Sequence, residues 1–152
     1  MNLSVDPKFC ELLTGSYTRL VGGLIVPRKY SGQTAARWVY EEAPFCVLAH
    51  DGAPDPIFIY ANKMAQTCFE YSWDEFVTLR SRLSAELENR EERQQLLNLV
   101  KRDGFATGYQ GLRISKSGRR FWIEDVTVWQ LIDEQGTLRG QGAIYRSWRD
   151  AW

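Results

Sequence analysis

The segment FIYANKMAQTCFEYSWDEF, residues 58–76, changes its hydrophobic period within a single residue. Phe58 to Ala61 is a short apolar and aromatic run of strand type, whereas Met64, Ala65, Cys68 and Phe69 recur at helical spacing. Asn62 stands between them, and asparagine is a favoured N-cap because its side-chain oxygen accepts the unpaired N–H groups of a helix's first turn. The segment therefore predicts a strand that passes directly into a helix. Ser72 and Glu75 repeat the device as a capping box ahead of a short helix over 73–79.

Upstream, residues 45–49 form a second strand-type run. Asp51-Gly52 and the prolines at 54 and 56 separate it from 57–61, and prolines fit a turn better than a central strand. Farther back, Phe9, Leu12, Leu13, Tyr17, Leu20, Val21 and Leu24 recur at steps of three and four after the cap and first-turn proline Asp6-Pro7, the pattern of an amphipathic helix. A second, shorter helix fits 34–42. Residues 1–43 thus read as an N-terminal helical extension and 44–152 as the domain proper. Downstream, a helix over 90–102 turns its REER segment to water and ends at Asp103-Gly104. Three strands follow, over 106–115, 119–131 and 138–148, joined by the turn-forming clusters KSGR and DEQG. The predicted class is α+β, a five-stranded antiparallel sheet with helices on one face, preceded by the helical extension.

Composition limits the function classes. A hydrophobic fraction of 44% with 25% charged residues belongs to an ordinary globular chain. Nineteen basic residues balance nineteen acidic ones, and no basic stripe offers a nucleic-acid surface; KSGRR reads as a solvated hairpin tip. Three scattered cysteines and a lone histidine give neither a disulfide framework nor a metal site. With no signal-peptide pattern and no apolar run long enough for a membrane span, reduced thiols and a cytoplasmic location are expected.

The order of these elements, and the wording of FIYANKMAQTCFEYSWDEF, GRRFW and DEQG, resemble the PAS superfamily of sensory modules from Pro44 to about Trp148. Within it, PFCVLAHD, PDPIFIYANK, YSWDEF and SRLSAE are most similar to the MEKHLA domain, known in plant homeodomain-leucine-zipper proteins and as free-standing bacterial proteins. No homeodomain or zipper heptad is present, so a DNA-binding role does not carry over. Flavin-binding PAS domains also share the EYS segment and the Phe-Trp hairpin. Their adduct-forming thiol, however, is matched here by Ser81, within Arg80-Ser81-Arg82. Their flavin-contacting amides are matched by Arg113, Ile123 and Tyr145. The long helix carries no histidine for haem. The resemblance implies a ligand cavity whose cofactor stays unknown.

Alternation along FWIEDVTVW places Ile123, Asp125, Thr127 and Trp129 on one face. With KSGR as the turn, Arg113 pairs near Ile123 and becomes a diagonal neighbour of Asp125. The resemblance makes that face the inner one, with His50 and Asn62 aimed at the same cavity and Trp129 and Tyr145 as its walls. Arg113 and Asp125 then form an internal salt bridge, or Arg113 meets an acidic ligand, or both stand in solvent. His50 is a hydrogen-bonded core residue or a pocket group; Asn62 is first a cap. The stripe of the first helix is intramolecular packing or the seam of a homodimer.

Three functions fit: a sensory module that binds an unidentified small molecule, a ligand-free interaction domain, and a small enzyme. The last has only His50, Ser81 and Asp125 as scattered candidates, so no catalytic residue is assigned.

Overall fold

The computed structural model describes residues 2–85 and 90–151. The side chains of Arg90 and Arg93 lie outside the described set, so of the REER face only Glu91 and Glu92 are seen to be exposed. Glu86, the last letter of SRLSAE, also lies outside it.

Helix α1 (Pro7–Leu20) starts at Asp6, whose carboxylate accepts from the Lys8 amide at 3.0 Å. Helix α2 (Gly32–Arg37) continues as a π-helical turn, Trp38–Glu42, that delivers the chain to β1 (Cys46–His50). Strand β2 (Phe58–Ala61) passes through Asn62 into α3 (Lys63–Phe69) as the sequence predicts, and α4 (Trp73–Phe76) follows with both halves of its Ser72–Glu75 capping box formed. A 3-10 turn (Ser81–Ser84) and α5 (Arg90–Asp103) lead to β3 (Phe105–Ile114), β4 (Arg120–Ile132) and β5 (Leu138–Tyr145). A sixth strand, β6 (Ser147–Asp150), is the outer end of the last predicted strand, cut off at Arg146.

The strands form one antiparallel sheet in the order β2-β1-β5-β4-β3, with β6 beside the first half of β4. Helices α3, α4 and α5 cover one face over a core that includes Leu48, Phe69, Phe76, Phe121 and Val128. The N-terminal extension covers the other face, where Leu13, Val39, Val47, Trp129, Leu131 and Ile144 pack together.

Strand β4 decides what belongs to which face. Its partner changes from β6 at Glu124 to β5 at Thr127, and Asp125, at φ 50°, sits between. Opposite, Gly111 faces Ile123 and Tyr109 faces Val126, so β4 makes three steps where β3 makes two. That is a β-bulge, and its extra residue inverts the side-chain alternation beyond it. Ile123, Val126 and Val128 consequently share the face of α3–α5, while Trp129 and Leu131 look toward α1.

Two expectations are corrected here. Trp129 is fully buried on the α1 face and is no wall of the inner cavity; its indole Nε1 donates to the Leu13 carbonyl at 3.1 Å, and Tyr17 meets it edge-on at 5.0 Å. Asp125 is exposed and lies beside Tyr17 and Thr127, so it is no neighbour of Arg113. Arg113 pairs with Phe121, two residues from the expected register, because the turn closes through Ser115 and Gly118.

Gly142 explains why the indole fits. It stands directly opposite Trp129, and a Cβ there would lie 2.8 Å from the ring. The seat is completed by Ser16, whose hydroxyl donates to the Ile132 carbonyl and accepts from the Ile132 amide, both at 2.9 Å. Four residues of α1 are buried in this intramolecular contact: Phe9 and Leu13 of the apolar stripe, with Cys10 and Ser16 beside them.

Candidate functional site

A cavity lies between the sheet and the α3–α5 layer. Its apolar lining comes from Phe58, Ile123, Val126 and Val128 on the sheet and from Phe69 and Leu96 on α3 and α5. Its polar groups come from several elements: His50 at the end of β1, Gln141 and Tyr145 on β5, Ser81 and Ser84 in the 3-10 turn, and Tyr109 and Arg113 on β3. The cavity volume is about 60 Å³. His50, Leu97 and Gln141 also line a wider vestibule of about 380 Å³ between the β1–β2 turn and α5.

Most of the polar groups are held by the protein itself. His50 Nε2 and Gln141 Oε1 are 2.9 Å apart across the paired strands β1 and β5, and His50 Nδ1 accepts from the Gly52 amide at 3.0 Å. Ser84 Oγ donates to the Ser81 carbonyl at 2.7 Å. Tyr145 Oη donates to Cys68 Sγ at 3.4 Å. Burial, helped by the adjacent Cys46 and Cys68 thiols, holds the Tyr145 hydroxyl well above the ordinary phenol value, so it stays protonated and able to donate. The hydrogen bond that Cys46 donates to Cys68, followed by burial, pushes the Cys46 thiol up, which keeps it inert.

Arg113 differs from its neighbours. It is only 8% exposed, yet no carboxylate pairs with it among the described residues. Nη1 donates to the Leu112 carbonyl at 2.9 Å, and Nη2 donates to Tyr109 Oη at 3.3 Å, with the guanidinium 5.6 Å from the Tyr109 ring centroid.

Of the six residues singled out by sequence, His50, Arg113 and Tyr145 therefore meet around one cavity, while Asp125 and Trp129 do not. Asn62 lies outside the lining as well, and its work is structural. Its Oδ1 accepts from the Ala65 and Val47 amides, each at 3.1 Å; its Nδ2 donates to the Val39 and Phe45 carbonyls at 3.0 and 2.9 Å. One fully buried amide thus caps α3 and ties β1 and the π-helical turn to it. Tyr109 and Gln141 were missed. Period two from Arg113 along β3 would have found Tyr109, and the pairing of β1 with β5 would have found Gln141 opposite His50.

The profile of the MEKHLA domain matches residues 7–150, which takes in the helices before β1 as well as the whole sheet. The chain belongs to the MEKHLA domain family. No curated protein matched the sequence. Among solved structures, the PAS domain of a protein from Colwellia psychrerythraea is 20% identical, with a TM-score of 0.58 over 70% of this chain and 86% of that one. The light-oxygen-voltage domain of the blue-light photoreceptor Aureochrome1, in its dark structure, is also 20% identical, with a TM-score of 0.54 over 66% and 72% of the two chains. An RNA-binding light-oxygen-voltage receptor aligns at 17% identity with a TM-score of 0.61, over 72% of this MEKHLA chain but 30% of its own length. These likenesses establish the PAS-like α+β fold.

A flavin does not fit the residues of this MEKHLA domain. Drug-sized ligands occupy roughly 300–1,000 Å³, well above the volume present here. The position of the adduct-forming thiol is the buried Ser81, and Arg113 and Ile123 replace two amides that would read the ring. Among the described residues no cluster of histidine, cysteine and carboxylate side chains could hold a metal ion, and no helix is long and apolar enough to cross a membrane.

Proposed function

We propose that this MEKHLA domain is a cytoplasmic sensory module that binds a small molecule in the cavity between the sheet and α3–α5, and that it is a binding protein and not an enzyme. The observation that carries the reading is the buried Arg113, which has no carboxylate partner among the described residues and lines a cavity whose other polar groups are all uncharged hydroxyls, an amide and His50. A charge so placed needs a partner to offset its desolvation. The catalytic alternative has less support, because Asp125 is on the opposite face of the sheet from His50 and Ser81.

A route for the signal is built into Asn62. Strand β1 lines the cavity through Leu48 and His50, and the Asn62 amide links that strand to Val39 in the N-terminal extension. A ligand that favours one packing of β1 shifts the extension only if it binds the two arrangements with different affinity. Partner or dimer contacts made by the extension would then report occupancy. With its apolar stripe seated on β4, α1 offers a homodimer its outer face, or must leave the sheet to pair.

A screen of small metabolites by thermal shift tests the reading, since a ligand that binds only the folded state raises the melting temperature. Ala143 lines the cavity and is only half-buried, so Ala143→Leu fills the space without a buried charge. The expected result is a set of compounds that stabilise the natural chain and leave the filled variant unmoved. The small cavity volume favours a second reading, a ligand-free interaction domain whose aromatics complete the core. Uniformly flat melts, or shifts that survive Ala143→Leu, would decide for it.

A further inference from the structure

Resting on the binding role proposed above, we infer that the ligand is a small carboxylate with a short apolar tail, and that Tyr109, Gly111 and Arg113 on β3 form its anion clamp. Three observations converge. First, the Arg113 guanidinium is buried and uses one N–H of Nη1 and one of Nη2, leaving Nε–H and the remaining terminal N–H groups without a bond among the described residues. Guanidinium geometry matches a carboxylate through two parallel N–H···O bonds, and neutral acceptors offset the desolvation of a buried cation far less well. Second, Tyr109 Oη accepts from Arg113, so its own proton is available to donate to a second oxygen.

Third, the clamp depends on a missing side chain. Gly111 lies between Tyr109 and Arg113 on the same face of the strand, and a Cβ there would lie 2.8 Å from Arg113 Nη1 and closer still to Tyr109 Oη. Both polar ends rest in the space above that glycine, which draws them together. The apolar part of the lining, from Phe69 and Leu96 to Val126 and Val128, suits a hydrocarbon tail. The cavity volume of about 60 Å³ keeps that tail short.

The test compares straight-chain carboxylates from acetate to hexanoate with the primary amides of the same length, at constant ionic strength, by calorimetric titration and thermal shift of the full chain. The carboxylates are expected to bind and raise the melting temperature by about 3 °C or more near saturation. The amides are expected to bind at least about tenfold more weakly. Arg113→Gln should abolish the preference. Should that variant unfold, Tyr109→Phe, which removes the hydroxyl but keeps the ring, should cut carboxylate affinity severalfold and leave the amides unchanged. Equal binding of acids and amides, both lost in Ala143→Leu, would overturn the clamp and leave a neutral-ligand cavity standing. No binding of any carboxylate would overturn the clamp outright. If the metabolite screen is also flat, the binding role falls with it.

Discussion

At the scale of single residues, Asn62 and Gly111 make opposite demands on the chain. Asn62 uses its whole amide: four hydrogen bonds reach four separate backbone groups, all within the interior. Asn62→Ala leaves several of these without partners and removes the α3 cap. The expected loss is about 3 kcal/mol, to be read as a lower urea midpoint at unchanged slope. Gly111→Ala should behave otherwise. The atoms that crowd the new methyl are the tips of flexible side chains, so the fold can absorb it while Tyr109 and Arg113 swing apart. A loss of carboxylate binding with a stability change below about 1 kcal/mol is expected. A large loss of stability would instead mark Gly111 as a backbone requirement.

At the scale of elements, the β3–β4 hairpin is held against α3 and α4 by carboxylates. Glu70 closes α3 in the left-handed conformation, at φ 67°, and accepts from Ser115 Oγ, the Ser117 amide and Arg119 Nε. Lys116 meets Glu75, the carboxylate of the α4 capping box. The serine contacts, Ser117 foremost and then Ser115, lower the Glu70 carboxyl to about 2, and Lys116, then the Ser72 amide, bring Glu75 to about 2 as well. Because both folded values lie below the ordinary 4.5, the stabilisation is complete above about pH 4.5 and disappears as pH falls through about 2. The protection of the Ser117 amide, its hydrogen-exchange rate relative to an unstructured amide at the same pH, should therefore fall only in that acid window. Glu70→Gln should lower that protection already at neutral pH and remove most of its acid dependence.

The elements themselves were legible in the sequence, since periodicity and capping residues sit in the chain as local signals. Asn62, the Ser72–Glu75 box and the KSGR and DEQG turns all act where they were read. What was not legible was the bulge at Asp125. Nothing local in FWIEDVTVW announces an extra residue, because the bulge arises where β4 exchanges β6 for β5, a tertiary event. One inverted step moved Trp129 and Asp125 to the other face, whereas Arg113, His50 and Tyr145, on other strands, line the cavity between the sheet and α3–α5.

At the scale of the whole molecule, the sheet is covered twice, and the two cores have separate roles. The N-terminal extension seals one face through Trp129 and the Ser16–Ile132 bonds, and the family match begins within it, at residue 7. Removing residues 1–43 should expose Val47, Trp129, Leu131 and Ile144 together, and a chain cut there is expected to aggregate or to lose its cooperative melt. A soluble, sharply melting fragment would show the extension to be an independent appendage. The opposite core holds the cavity, and the central claim is that a ligand enters there. The most direct measurement follows the methyl groups by nuclear magnetic resonance during titration with butyrate. Ile123, Val126 and Val128, on either side of the bulge and all facing the cavity, should shift with saturable dependence, while Val39, Leu131 and Ile144 on the α1 side stay in place. Cavity methyls that never move, or shifts confined to the α1 side, would contradict the account.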